Sequence, residues 1–407
     1  MKKSLFFLTF SICLFTFSLT AVRQAFAQQY GWKDLSENIP IEGALTDVYF
    51  TSEDEGWITT AFADSTILHT TDGGASFEIQ KVPLSPDIYA IHMLDSLNGY
   101  CGGPSGWIYK TSNGGQIWNI LSSMGTFTDI SFPPNTNPED PIGYACGDAG
   151  NVWEITNTLT NLNSPSSSTF SGISAPSINN VYSCGGGRIY YYDGSGFTSM
   201  STPGGTFNDI HFINDIEGWV IGNAGVIGKT IDGGDHWTPI LNPDPLSRSL
   251  IKVFFITLNE GWAVGAEGVI LHSTDGGINW VIEGEGLADL PLTSVHFTSP
   301  INGYVVGNNG TLLKYTNVSE VNGNYLSIQF ELFPNPADES VRIHCSEFKT
   351  ETGTIEILTS EGKTLQKKTV GKGNTDIEME LKDLAAGMYM CRITVGNKSS
   401  TRKLIIE

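Results

Sequence analysis

Short apolar runs recur about every 40 residues between positions 30 and 317. Seven of these runs open a unit, and they start at residues 45, 88, 127, 170, 207, 251 and 292, as in LTDVYF, FTDISF and LTSVHF. A second run such as GWVIG, a glycine turn and a third run such as VILHS follow. Alternating apolar positions bounded by glycine turns indicate strands, and four short strands in a unit of this length indicate a propeller blade. The pattern therefore predicts an all-β, seven-bladed β-propeller over residues 28–317.

The seventh unit stops after LLKYTN and has no fourth strand of its own. The segment YGWKDLSE at residues 30–37 resembles INWVIEGE at residues 278–285 in the sixth unit. We therefore predict that Trp32 begins the fourth strand of the last blade. This pairing would close the ring and remove two exposed sheet edges.

Residues 1–27 have the layout of a secretory signal peptide. Lys2 and Lys3 precede the apolar run LFFLTFSICLFTFSLT, and the small-residue signal AFA occupies 25–27. We expect the exported chain to start at Gln28. A membrane anchor is the alternative interpretation, and the length of the apolar run argues against it.

Four units carry a turn of the form Ser/Thr-x-Asp-x-Gly-x-x-aromatic, as in HTTDGGASF and HSTDGGINW. We call this turn the box. Glycine supplies positive φ in such a turn, and the acidic side chain accepts backbone N–H bonds. One of the four has asparagine, which accepts the same bonds but cannot act as an acid or a nucleophile. We therefore interpret the boxes as structural. The four box residues are Asp72, Asn113, Asp232 and Asp275.

This turn resembles the Asp-box (BNR repeat) of sialidase-like proteins, and the whole repeat resembles the photosystem II stability/assembly-factor-like propeller family. The third and fourth units have lost the box. A sialidase site, as that family is known, needs three arginines, whereas residues 28–317 contain only Arg188 and Arg248. Xyloglucanases share the repeat style, but resemblance to them implies two propellers that face each other across a cleft, and this sequence predicts only one. With no Ser-His-Asp or HExxH arrangement, we lean against an enzyme and expect no cofactor.

Short hairpins between the second and third strands, such as GDAG and GNAG, predict one low, flat face. Trp107 follows such a turn, where an exposed indole would suit a sugar or an apolar side chain; packing under a loop is the alternative. Arg188 occupies the same position two units later. We propose both as ligand contacts.

Three aspartates share a position near the start of the first strand. They could ring one mouth of the channel and hold a cation, or they could cap turn N–H groups. Three histidines share a later position with Tyr49, Ser131, Ser174 and Phe255, so we interpret them as repeat positions rather than as metal ligands. The aspartates are Asp47, Asp129 and Asp209, and the histidines are His92, His211 and His296.

Residues 331–407 alternate strands and glycine turns, which predicts a small Ig-like β-sandwich after a linker at 318–330. The block resembles the type A C-terminal sorting domain of the Bacteroidetes type IX secretion system; an adhesive sandwich is the alternative. The resemblance implies export across both membranes by that machinery, followed by release or surface anchoring. The matching positions include Phe333, Pro334, Asn335, Pro336, Gly387 and Tyr389.

Charge is concentrated in the repeat region, which has 30 acidic and 8 basic residues, a net charge of −22, against −2 for 318–407. A surface this negative repels nucleic acid and anionic lipid. Cys345 and Cys391 could form a disulfide in the second domain, and no cysteine spacing suggests zinc.

Taken together, the sequence predicts a secreted or surface-displayed propeller, monomeric, that binds a protein or a glycan. One alternative is an extracellular glycoside hydrolase or lyase that uses acidic residues of the flat face. A second alternative is an assembly factor for a surface protein complex. The sequence does not identify the ligand.

Overall fold

The computed structural model describes residues 30–61, 66–84, 87–104, 106–284, 286–317, 330–359, 363–395 and 398–406. The expected signal peptide, and all but the last residue of the expected linker, lie outside the described residues. Among the described residues, helical structure is limited to single 3-10 turns, and no helix is long and apolar enough to span a bilayer. The 3-10 turns are Ser36–Asn38, Asp148–Gly150, Asn223–Gly225, Ala266–Gly268, Asn308–Gly310 and Ser346–Lys349.

Residues 30–317 form seven consecutive four-stranded antiparallel sheets. The first four sheets are β2–β5 (Ala44–Phe50, Gly56–Ala61, Thr66–Thr70, Glu78–Lys81), β6–β9 (Ala90–Met93, Asn98–Gly102, Ile108–Ser112, Asn119–Ser122), β10–β13 (Phe127–Ser131, Gly143–Gly147, Val152–Ile155, Leu159–Asn161) and β14–β17 (Gly172–Ser177, Asn180–Gly185, Arg188–Tyr192, Phe197–Ser199). The last three are β18–β21 (Phe207–Phe212, Gly218–Gly222, Ile227–Thr230, Thr238–Pro239), β22–β25 (Leu250–Phe255, Gly261–Gly265, Ile270–Ser273, Val281–Glu283) and β26–β28 (Leu292–Ser299, Asn302–Gly307, Leu312–Asn317) with β1 (Tyr30–Asp34).

The N-terminal strand completes the seventh sheet. Strand β1 pairs antiparallel with β28 and places Trp32 opposite Tyr315, which confirms the predicted pairing, although the strand starts two residues earlier than expected. The indole Nε1 of Trp32 also donates to Glu283 Oε2 of the sixth sheet at 3.2 Å. The seventh sheet contacts the first, because Thr293 Oγ1 donates to the carbonyl of Leu45 at 2.7 Å.

Neighbouring sheets pack through rings that recur at fixed repeat positions. The aromatic residue of each Gly-Trp or Gly-Tyr pair is buried against the first strand of the next sheet, as in the stacks of Trp219 on Phe255 and of Trp262 on Phe297, both with ring centroids 3.5 Å apart. A glycine in the second strand of the next sheet leaves space for this stack. A Cβ at Gly261 would lie 2.5 Å from the ring of Phe255, so no larger residue fits without a shift.

Residues 330–406 form two antiparallel sheets around one hydrophobic core. This module contains Cys345 and Cys391 as buried, free thiols. One sheet has the order β29 (Phe330–Phe333), β30 (Ser340–Cys345), β33 (Asp376–Glu380), and the other has the order β32 (Thr364–Val370), β31 (Gly353–Thr359), β34 (Gly387–Val395), β35 (Lys398–Ile406).

Candidate ligand-binding channel

The first strands of all seven sheets line one cavity of about 400 Å³. A second cavity, of about 390 Å³, is lined by residues nearer the start of these strands. We call the two cavities together the channel. They share four charged residues, which therefore lie where the cavities meet: Asp47, Asp129, Asp209 and Lys252.

A recurrent irregularity aims these side chains into the channel. In five sheets, the pairing between the first and second strands shifts by one residue just before the position that lines the channel. A bulge adds one residue to a strand and redirects the side chain that follows it. We call the residues brought to this position the carboxylate layer: Asp47, Asp129, Asp209, Lys252 and Ser294.

Lys252 supplies the cation for this layer. Its Nζ lies 3.1 Å from Asp129 Oδ1 and 3.4 Å from Asp209 Oδ1. Burial opposes the charge on Lys252, but Asp129, Asp209 and Asp47 together raise the pKa of its ammonium well above the ordinary value. The aspartates thus surround the chain's own lysine.

Sequence reasoning missed Lys252 because it started the sixth unit at Ile251. The structure starts β22 at Leu250, which aligns Lys252 with the three aspartates and Phe254, rather than Phe255, with the three histidines. Leu250 aligned with Leu45 and Leu292 was the signal that could have placed Lys252 in the layer.

The aspartates also join neighbouring sheets. Each one accepts a hydrogen bond through Oδ2 from a backbone N–H in the first strand of the following sheet, so the N–H groups that these carboxylates bind belong to strands rather than to turns. The pairs are Asp47 with Ile91 at 2.9 Å, Asp129 with Ile173 at 3.0 Å and Asp209 with Val253 at 2.9 Å.

Burial perturbs the carboxyl groups of the layer. It raises the pKa of Asp209 to about 7, against the lowering effect of Lys252, and it raises the pKa of Asp47. Ser294 Oγ donates to Asp47 Oδ1 at 2.6 Å. By contrast, Asp209 Oδ1 is buried and accepts no hydrogen bond.

Two residues farther along each first strand, a ring-rich set of side chains faces the same cavity. The Tyr49 ring lies 4.7 Å from His92 and 4.4 Å from His296 by centroid. Burial lowers the pKa of His92 and of His211 to about 4, so their imidazoles are neutral near pH 7. We call this set the collar: Tyr49, His92, Ser131, Ser174, His211, Phe254 and His296.

The two residues expected on the flat face do not join this site. Trp107 is half-buried and packs against the core between the first and second sheets. Its indole is therefore less exposed than we expected for a ligand contact. Arg188 is exposed at the start of β16. Neither side chain lines either cavity of the channel. In the described residues, no group of three or more His, Cys, Asp or Glu could hold a metal ion.

The box residues make one repeated set of turn bonds between the third and fourth strands. Asp72 Oδ1 accepts from the N–H of Ser76 at 2.8 Å, and Asn113 Oδ1 accepts from the N–H of Ile117 at 3.0 Å. The amide therefore makes the same backbone contact as the carboxylate. Asp232 and Asp275 repeat it at 3.0 and 2.9 Å.

The boxes also receive hydrogen bonds from the preceding sheet. Trp57 Nε1 donates to the carbonyl of Gly114 at 3.2 Å, and Trp219 Nε1 donates to that of Gly276 at 2.9 Å. Where the next sheet lacks a box, the donor can lose its acceptor. In the described structure Tyr100 OH and Trp262 Nε1 are buried without a hydrogen-bond partner, and the third and seventh sheets that follow them have no box.

Known proteins share both parts of this chain. Residues 331–407 match the secretion system C-terminal sorting domain, and residues 25–125 and 199–283 match photosynthesis system II assembly factor YCF48. The chain is 39% identical over 227 residues to the photosystem II assembly lipoprotein Ycf48 of Synechococcus sp. (strain CC9902). This match covers 51% of the chain and 65% of the length of that lipoprotein.

Two solved structures share the fold at lower identity. One is described as YCF48 bound to D1 peptide, with 20% identity and a TM-score of 0.58 over 71% of this chain and 98% of that one. The other is YCF48 from Cyanidioschyzon merolae, with 18% identity and a TM-score of 0.57 over 70% of this chain and 99% of that one.

These features define an all-β protein of the propeller class, with a channel between its sheets. The repeat region is similar to Ycf48 proteins, and residues 331–407 match a secretion system C-terminal sorting domain. The sorting domain supports export to the cell surface or beyond, and it implies handling by the secretion machinery.

Proposed function

We propose that this protein is an exported binding protein that holds a peptide segment of a partner protein at its channel. The observation that carries the proposal is the 400 Å³ cavity, which combines the collar with the carboxylate layer. Ligand sites are typically concave and lined by aromatic side chains with a few polar groups. The solved YCF48 structure with a D1 peptide supports a peptide as the class of ligand.

The domain organisation in this proposal follows the sequence boundaries. Residues 1–27 are the signal peptide, 28–317 a closed seven-bladed propeller, 318–330 the linker and 331–407 an Ig-like sorting domain. Export is followed by removal of this domain and by release or surface anchoring of the protein. The bonds from Thr293 to Leu45 and from Ser294 to Asp47 support closure between the last sheet and the first.

A role in assembling a surface protein complex is the second candidate. The match to an assembly factor favours it, and it needs the same peptide binding. A glycan ligand on the flat face is a third candidate, in which Trp107 and Arg188 would be the contacts. The hydrolase alternative, which would use acidic residues of the flat face, is the last candidate.

The test exposes the purified exported chain to two arrays. One carries peptides that tile the surface proteins of its own cell, and the other carries plant, algal and host glycans, with sugar release monitored. The Trp107→Ala variant is measured alongside. Saturable binding of particular peptides by both proteins supports the proposal. Glycan binding that the variant loses would move the site to the flat face, and released sugar would identify a hydrolase.

A further inference from the structure

We propose that the channel is a receptor for one organic cation, the ammonium of a lysine or the guanidinium of an arginine in the bound peptide. This cation would pass the collar and stop at the carboxylate layer. The inference rests on the proposed function, because it names the part of the peptide that the channel takes.

The carboxylate layer has more acceptor capacity than the chain itself uses. Three carboxylates face one ammonium, and Lys252 contacts only Asp129 and Asp209. Asp209 is 1% exposed, and its Oδ1 accepts no hydrogen bond although Lys252 Nζ lies 3.4 Å away. A buried acceptor without a hydrogen bond is costly, so a second cationic donor at this oxygen would relieve an existing penalty.

Asp209 also lies where the two cavities meet. Its side chain lines both cavities and is almost completely buried. The charge of the repeat region works in the same direction, since 30 acidic residues against 8 basic ones attract a basic partner and repel an acidic one.

The collar suits the passage of a cation. Tyr49 and Phe254 line the cavity with aromatic rings, and each ring packs against two imidazoles of the collar. The neutral imidazoles of the collar add no positive charge that would repel the ligand. Ser131 and Ser174 already accept backbone N–H bonds from the next sheets, so they are occupied. An alkyl ammonium or alkyl guanidinium therefore meets apolar rings along its stem and carboxylates at its end.

The experiment titrates the full exported chain with acetyl-Gly-Gly-Lys-Gly-Gly-amide and with its arginine and norleucine counterparts. A further titration uses n-butylammonium, which separates a free amine from a peptide side chain. The imidazole NMR resonances of His92, His211 and His296 report binding at the collar. Concentrations reach about 10 mM, well above the point at which a contact of millimolar affinity half-saturates.

The variant Asp209→Asn keeps the shape of the side chain and removes its charge. Asp235→Asn is the matched control, because Asp235 is exposed on a box turn and its loss changes the net charge equally. Asp47→Asn supplies a second test in the layer. Thermal unfolding of each variant verifies that it folds.

We expect the lysine and arginine peptides to shift the collar resonances and the norleucine peptide to leave them unchanged. Asp209→Asn should weaken binding about tenfold, as for loss of one charged contact, and Asp235→Asn should not. Equal binding by the norleucine peptide, equal effects of Asp209→Asn and Asp235→Asn, or no shift with any cationic peptide would overturn the cation site. Butylammonium binding as tight as the lysine peptide would overturn the peptide as its source.

The outcome is separable from the proposed function. If array peptides bind the wild-type chain and Asp209→Asn equally well, the binding function stands and the cation site fails. If no array peptide binds but the lysine peptide shifts the collar, the cation site stands without a protein partner.

Discussion

At the residue scale, Lys252 determines how the channel is charged. Among the described residues that line the cavity of about 400 Å³, it is the only lysine or arginine, and it neutralises part of a buried acidic layer. The sequence predicted the three aspartates at one position but missed the lysine. A count that starts from the apolar run at Ile251 places Lys252 one position before the aspartates, whereas the structure starts this strand at Leu250.

Replacing Lys252 by methionine should lower the free energy of unfolding by about 3 kcal/mol at pH 8, because removing one partner leaves buried carboxylates uncompensated. The loss should be smaller at pH 5, where Asp209 with its raised pKa binds a proton instead. Urea unfolding at both pH values measures the change. Lys81→Met is the control, since Lys81 is exposed and its replacement should cost less than about 0.5 kcal/mol. Equal effects of the two substitutions would contradict the arrangement.

At the element scale, the boxes and the Gly-Trp strands form a single interlocking unit. A box in one sheet accepts a hydrogen bond from the strand aromatic of the sheet before it, as in the bond from Trp219 to Gly276. The sequence predicted the turn chemistry of the box, including the equivalence of Asn113. It could not predict the bond between sheets, because that bond joins residues 57 positions apart and depends on how the sheets pack.

The two tryptophans of successive sheets provide a matched pair. Trp219→Phe should cost about 1 kcal/mol more than Trp262→Phe, because only Trp219 donates to a box carbonyl and Trp262 Nε1 has no acceptor. Both rings are fully buried and stack on a phenylalanine, so the loss of side-chain volume is the same in the two variants. Denaturant unfolding of the two variants gives the difference. A cost for Trp262→Phe as large as that for Trp219→Phe would exclude this role for the box.

His272 makes the sixth sheet sensitive to pH. Its Nδ1 lies 2.7 Å from Glu283 and its Nε2 lies 2.8 Å from Glu260. Burial opposes its charge, but the two glutamates raise the pKa above the ordinary value. A raised pKa in the folded state stabilises the fold below about pH 6.5, the value for an unperturbed histidine, and this gain is lost as pH rises through the folded pKa.

Comparison with His272→Gln should reveal this contribution. We expect the wild-type protein to lose stability relative to the variant as pH rises above about 6.5, at no more than about 1.4 kcal/mol per pH unit. Beyond the folded pKa the two profiles should run parallel. Chemical unfolding across the range from pH 5 to 9 measures both curves. Parallel profiles over the entire range would mean that the pKa of His272 is the same in the folded and unfolded states.

At the scale of the whole molecule, the first described strand and the last strand of the repeat region belong to one sheet. The repeat period predicted seven units. It also predicted that β1 pairs with the last of them, since a unit without a fourth strand leaves a sheet edge unpaired. The exposure of single side chains was less predictable. Trp107 follows a turn that predicted an exposed side chain, yet it packs on the core between two sheets. Its burial depends on the neighbouring sheet and not on local sequence.

Trp32 tests whether β1 holds the repeat region together as one cooperative body. It is 7% exposed and packs its ring against Phe297 and Tyr315, with centroids 5.9 and 5.1 Å away. Trp32→Ala should cost about 3 to 5 kcal/mol, as for other large-to-small changes in a core. Trp107→Ala should cost less, because its side chain is only half-buried. If β1 closes a single structure, fluorescence and circular dichroism will report one shared unfolding transition for Trp32→Ala in this region, shifted to lower denaturant. A separate early transition would instead show that the seventh sheet opens alone, and closure by β1 would then be a local feature.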